Sequence, residues 1–227
     1  MKPGTYQEIM ERIRRDKQDD LVQSAKLPFP QKLALTAAAT RTGDHLVLAE
    51  SFADPILEII KLFNLAVREG VFSRYALAGG LAVEYYGAPI NTVDADFLVI
   101  FPETPGGRLD ASSYFAFFQR QGATVSGEHL IFHGLKFQLI PANGPLDSEA
   151  LQQADSVSEK GVPFLVVSLE HLIATKLRAG RYKDKLHLNH LLDSGAAPDT
   201  GRLSAILQRH QLHSAWAQFL AERGKAG

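Results

Sequence analysis

The stretch that decides the fold runs from Tyr75 to Phe101 and reads YALAGGLAVEYYGAPINTVDADFLVIF. Its first apolar run, Tyr75 to Ala78, ends at the pair Gly79-Gly80 and is too short to stand as a helix. It therefore reads as a strand passing straight into a helix N-terminus. The helix ends at Gly87, a turn follows through Pro89, and Asp94-Ala95-Asp96 opens a second apolar run that is β-branched and aromatic. The expected order is strand, glycine turn, helix, return strand.

The chemistry of this order can be read from the residue types. The first turn of a helix has free backbone N–H groups and the positive end of the helix dipole, and a glycine pair lets a phosphate approach the backbone closely. Asp94 and Asp96 are two apart on a strand, so their side chains share a face, roughly 6–7 Å apart. Two carboxylates on one face repel unless a cation lies between them. Hard oxygen ligands favour Mg²⁺, held together with substrate phosphates. Both halves converge on a metal-bound nucleoside triphosphate. An isolated Asp-x-Asp is more often a pair of solvent-facing turn acids; the glycine pair upstream favours the site.

Upstream, Ile56, Ile59, Ile60, Phe63 and Val67 recur at helical spacing, which predicts a helix over 55–67 ended by Glu69-Gly70. Residues 5–25 carry mixed charge with sparse apolar positions and predict an exposed helix; 27–30 break it, and 31–40 form another. Downstream, Pro102 to Arg108 is a turn-rich loop. Ala111 to Gln121 reads as a helix whose Tyr114, Phe117 and Phe118 belong to a core. Leu130 to His133 and Leu135 to Ile140 read as a hairpin around His133-Gly134, and Phe164 to Val167 as a further strand.

Ser168 is a plausible N-cap for a C-terminal helical part. The helix after it places Leu169, Leu172, Ile173 and Lys176 on one inward stripe, and the next places Asp184 with Leu188 and Leu191. Lys176 can snorkel to water or meet a phosphate, and Asp184 can face a site or merely favour a helix N-terminus. Arg181 and Lys183 add positive charge nearby, and His187 and His190 are three apart with no third metal ligand in view. The expected division is 1–50 as an N-terminal helical extension, 51–167 as an α/β core and 168–227 as a C-terminal helical subdomain.

With 45% hydrophobic and 22% charged residues, the chain falls in the globular class. Lys+Arg 24 against Asp+Glu 25 leaves no global field for nucleic acid, so any RNA contact must come from a local patch. The absence of cysteine excludes disulfides, thiol catalysis and Cys-ligated zinc. No apolar run is long enough to span a membrane and no signal-peptide core is present, so the expected location is cytoplasmic.

The Gly-Gly…Asp-x-Asp pairing resembles the signature of the polymerase-β-type nucleotidyltransferase superfamily, and within it the AbiEii-like group found as toxins of type IV toxin–antitoxin systems. LKFQLIP and LEHLIATKLRAGRYKDKLHLNHLL add to the likeness, which spans roughly residues 54 to 193. The resemblance implies an α+β nucleotidyltransferase fold, a small mixed sheet flanked by helices. It implies Asp94 and Asp96 as ligands of Mg²⁺, with Mn²⁺ as a substitute. It implies that Gly79, Gly80 and Leu81, with Lys176, Arg181 and Lys183, bind the nucleoside triphosphate, and that Lys176 and Asp184 join the two aspartates in catalysis. The implied acceptor is RNA, such as a tRNA 3′ end, or a protein hydroxyl, and the implied partner an antitoxin.

Four positions depart from the pattern. Gln138 stands where many members carry a third carboxylate, Ile90 where Arg is expected, His187 where a second Asp often follows, and Leu81 where a Ser hydroxyl would meet phosphate. They keep open the alternative of a catalytically degenerate module that binds nucleotide or a partner. A dinucleotide-dependent oxidoreductase is disfavoured because no G-x-G-x-x-G follows a strand.

Overall fold

The computed structural model describes residues 47–88, 90, 92, 94–101 and 111–226. The helices expected over 5–25 and 31–40 and the loop at 102–108 lie outside the described residues.

The first described helix, α1 (Val47–Arg68), starts earlier than the apolar spacing predicts. Of the expected inward stripe, Ile56, Ile59, Ile60 and Phe63 are fully buried, while Val67 is half-buried and Ala66 takes the buried place beside it. Gly70 ends it in the left-handed conformation (φ 74°), with Gly70 N–H reaching Val67 O and Val71 N–H reaching Ala66 O.

Strand β1 (Arg74–Ala78) runs directly into α2 (Gly79–Tyr85), and β2 (Asp94–Ile100) returns antiparallel to β1 with Ala78 opposite Asp96. Next come α3 (Ala111–Arg120), β3 (Thr124–Ser126), β4 (His129–Phe132) and β5 (Leu135–Pro141). The β4–β5 turn carries His133 and Gly134 at φ 48° and 80°, the two positive values a tight two-residue hairpin needs. Then follow α4 (Pro145–Gln152), β6 (Asp155–Glu159) and β7 (Val162–Val166). Four helices close the chain: α5 (Leu169–Ala179), α6 (Tyr182–Asp193), α7 (Thr200–Arg209) and α8 (His213–Ala226).

The strands form one mixed seven-stranded sheet in the order β3-β4-β5-β2-β1-β7-β6. β1 is antiparallel to β2 and parallel to β7, while β2 is parallel to β5. Sequence patterning anticipated five of these strands. It missed the outer β3 and β6, although Lys160-Gly161 (φ 46° and 77°) is a second tight-turn signal between β6 and β7.

Strand alternation sorts the faces. Ala95, Phe97 and Val99 of β2, with Tyr75 and Leu77 of β1 and Phe137 of β5, are buried toward α1 and α3. There the Phe63 ring stacks on Phe97 at 3.9 Å and lies within 5.8 Å of the rings of Phe72, Tyr75, Phe118 and Phe137. The opposite face carries Asp94, Asp96 and Leu98 of β2 beside Lys136, Gln138 and Ile140 of β5. This is the face that α4 and α5 help to cover.

The C-terminal helices are tied to the core through Glu149 of α4. Its carboxylate accepts from Arg209, meets His210 at 2.7 Å and the buried His171 at 3.3 Å. The Arg209 hydrogen bond leads in holding its pKa down at about 2. No described helix is long and apolar enough to cross a membrane.

Among the described residues, one buried acid stands outside such pairing. Glu84 of α2 is 2% exposed and neither carboxyl oxygen has a hydrogen-bond partner. Burial pushes its pKa up to about 9. Between the unfolded value and about 9 the folded chain holds a proton that the unfolded chain releases, so this group lowers stability as pH rises across that window. Glu84→Gln is expected to remove a slope of up to about 1.4 kcal/mol per pH unit. Urea unfolding at pH 5 and pH 8 measures it: the stability gap between variant and wild type should widen at pH 8.

Candidate functional site

The site begins with two glycines whose necessity is steric. Gly79 has φ +61°, and a Cβ there would lie 1.7 Å from Asp96 Oδ2 and 2.5 Å from its Cγ. A Cβ on Gly80 would lie 2.6 Å from Thr92 Oγ1. The space that a side chain would fill at either position is therefore taken by the return segment, not left open for a phosphate. The glycines let the start of α2 lie against the strand that carries the aspartates.

A cavity of about 180 Å³ opens beside this contact. Gly79 and Asp96 form one wall, and Lys176, Arg178, Arg181 and Asp184 form another. Segments about eighty residues apart in sequence thus share one concavity. A larger open groove of about 520 Å³ lies along α1, β1 and β7, but no carboxylate lines it.

The helical wall is built by a short connection. Ser168 caps α5 by accepting from His171 N–H, and Gly180 ends it at φ 62° with its N–H on Lys176 O. Arg181 is the N-cap of α6, so the chain turns back within two residues. Lys176 Nζ then donates to Asp184 Oδ1 at 3.2 Å, and Arg181 Nε donates to Asp184 Oδ2 at 2.7 Å. Asp184 is fully buried. Burial opposes its charge, but Arg181 and Lys176 outweigh that and its pKa falls. Burial also draws the Lys176 pKa below its ordinary value, against the pull of Asp184 and, more distantly, Asp96. The outcome is a buried anion between two cations, with Asp96 across the cavity.

On the strand wall, Asp96 stands in register with Gln138 of the neighbouring β5, and Gln138 Nε2 donates to Asp96 Oδ1 at 2.6 Å. Asp94 shares the face of Asp96, as strand alternation expects, but does not line the cavity. Its Oδ1 is buried with no hydrogen-bond partner. An orphaned carboxylate oxygen is costly unless a cation meets it, and two hard oxygen donors suit Mg²⁺ or Mn²⁺. The residues present therefore fit a divalent ion held by Asp94 and Asp96. Among the described residues no group of three or more His, Cys, Asp or Glu side chains is placed to hold a metal.

The remaining expected positions fall elsewhere. Leu81 buries its side chain and can offer only backbone. Lys183 is exposed on α6 and is not among the cavity-lining residues. Ile90 is buried and contributes no charge. His187 is half-buried and its Nδ1 lacks a partner; burial, then Lys176, lowers its pKa to about 4, so it is neutral near pH 7.

Sequence reasoning missed part of the rim. Arg178 of α5 pairs with Asp147 in the first turn of α4, and Thr175 and Ile140 complete the wall. Gly144-Pro145 before an acidic first turn was a usable helix-start signal for α4.

No protein-family model matches this sequence, and none of the curated proteins matches it. Similarity to solved structures is substantial in extent and low in identity. A nucleotidyltransferase-like antigenic protein from Paracoccidioides brasiliensis superposes with a TM-score of 0.52 at 16% identity, over 76% of this chain and 90% of that one. The antibiotic-resistance factor ANT(2'')-Ia matches in its solution structure with a TM-score of 0.43 at 15% identity, covering 74% of this chain and 97% of that one. Its crystal structure in complex with adenylyl-2''-tobramycin gives 0.41 at 15% identity, covering 75% and 98%. The chain has the nucleotidyltransferase fold, a mixed sheet flanked by helices.

Gly79→Ala forces both a left-handed alanine and a collision with Asp96, and should cost about 3 kcal/mol in urea unfolding. Asp184→Asn removes the anion between Lys176 and Arg181 and should cost about 3 kcal/mol at pH 7. Its penalty should shrink at acid pH, since the stability that Asp184 contributes is lost as pH falls through its lowered folded pKa.

Proposed function

We propose that this chain is a metal-dependent nucleotidyltransferase that moves a nucleoside monophosphate from a nucleoside triphosphate to a hydroxyl acceptor. The observation that carries the proposal is the single cavity walled by Gly79 and Asp96 on one side and by Lys176, Arg181 and Asp184 on the other.

In this reading Asp94 and Asp96 hold a divalent ion, which when bound supplies Lewis-acid polarisation of the phosphates. The backbone after Gly79-Gly80, through Leu81, faces the triphosphate together with Lys176 and Arg181. Lys183, at the exposed start of α6, adds long-range attraction. The acceptor oxygen forms a bond to the α-phosphorus, the bond to the bridging oxygen of pyrophosphate breaks, and the hydroxyl proton passes to solvent. Lys176 and Arg181 face the charge growing on the departing pyrophosphate. Asp184 keeps both cations in place and is a positioning residue. Gln138 has no proton-accepting charge and cannot serve as the general base.

By its resemblance to the AbiEii-like group, the acceptor is RNA, such as a tRNA 3′ end, or a protein hydroxyl. The same resemblance makes the chain a toxin restrained by an antitoxin, with the cytoplasm as its expected location. The core over 51–167 would carry the aspartates, and the helical part over 168–227 the cations. A second reading, a nucleotide-binding module without turnover, is favoured by one feature: Gln138 spends its amide on Asp96 where an acid would assist the acceptor.

Incubation of the chain with α-labelled nucleoside triphosphates, Mg²⁺, total RNA and total protein tests both. Mg²⁺-dependent label transfer is expected, falling by about 10²-fold or more in Asp94→Asn and Asp96→Asn, the scale of losing one group that stabilises transition-state charge. Nucleotide binding without transfer would select the second reading. Absence of binding would dismiss both.

A further inference from the structure

Every carboxylate on the cavity wall already has a partner, and the partners differ in kind. Asp184 is held by Lys176 and Arg181, and Asp147 by Arg178. Asp96 is met by the neutral amide of Gln138. A carboxylate only accepts hydrogen bonds, so the amide must present its NH₂ to Asp96 Oδ1. The 2.6 Å separation makes this a short, charge-assisted bond. The other oxygen of Asp96, Oδ2, lies over Gly79. Beside it along the strand stands Asp94 with its buried, unpartnered Oδ1.

Two divalent ions acting together on a phosphoryl group sit about 3.5–4 Å apart, and hard cations of this kind are held by carboxylate and other oxygen ligands. Among the described residues, the strand neighbours on this face of the sheet supply none. Asp94 pairs across to Lys136, Asp96 to Gln138 and Leu98 to Ile140. We infer that Gln138, by standing as an amide beside Asp96 where a second ion would require an anion, limits this site to one divalent cation. Lys176 and Arg181 supply the remaining positive charge from the opposite wall. The inference rests on the nucleotidyltransferase reading and narrows it to chemistry with a single ion.

Native mass spectrometry of the full chain with excess Mn²⁺ and an α,β-methylene nucleoside triphosphate counts ions per complex directly. One Mn²⁺ per nucleotide-bound chain is expected for the wild type and two for Gln138→Glu, which puts a carboxylate beside Asp96. Circular dichroism checks that the variant is folded; should it not be, Gln138→Asp is expected to give the same count of two. Two ions on the wild type, or one on a folded acidic variant, would overturn the inference while leaving the nucleotidyltransferase reading intact. No nucleotide-dependent Mn²⁺ on the wild type would remove that reading and this inference with it.

Discussion

The carboxylate of Asp96 occupies the volume where residue 79 would otherwise place a Cβ. Much of the site's geometry follows from that contact. It requires glycine at 79, permits the left-handed turn from β1 into α2 without a loop, and presses the first turn of the helix onto the return strand. Gly80 against Thr92 repeats the device one residue later. With β1 and β2 paired in the register Ala78 opposite Asp96, a one-residue slip would turn the aspartates into the Phe63 cluster.

That cluster secures the register from the other face. Phe97 and Phe137, adjacent in sequence to Asp96 and Gln138, are fully buried among the rings around Phe63. Burying an aromatic side chain is favourable by about 2–3 kcal/mol, whereas burying an unpaired carboxylate is strongly unfavourable. The alternation along β2 and β5 therefore has a single low-energy setting, with rings toward α1 and polar groups toward the cavity. On the cavity side the cost of burying Asp184 is offset by two cations rather than by water. The same grouping that stabilises the fold gives the cavity a cationic wall facing Asp96.

The arrangement is acidic on the strand wall and cationic on the helical wall, with paired charges at the rim. The metal-bound triphosphate of the proposed function is a ligand of matching charge, anionic along most of its length with a hard cation at one end. The neutral Gln138 adds no charge beside Asp96.

Local chemistry made several features legible in advance. The strand–glycine–helix–strand order came from the placement of Gly79, Gly80, Gly87 and the apolar runs. The shared stripes of Lys176 and Asp184 with buried leucines came from helical periodicity, and the β4–β5 turn from His133-Gly134. Other features depend on partners distant in the chain and carry no local mark. The sequence does not say that Gly79 yields its side-chain volume to Asp96, that Gln138 bonds that same carboxylate, or that Lys176 and Asp96 share a cavity. Sequence by itself determined which residues are compatible with helix, strand and turn, because those preferences act over a few residues. Only the tertiary structure decided which charges meet, because pairing depends on strand register and helix packing between segments far apart in the chain.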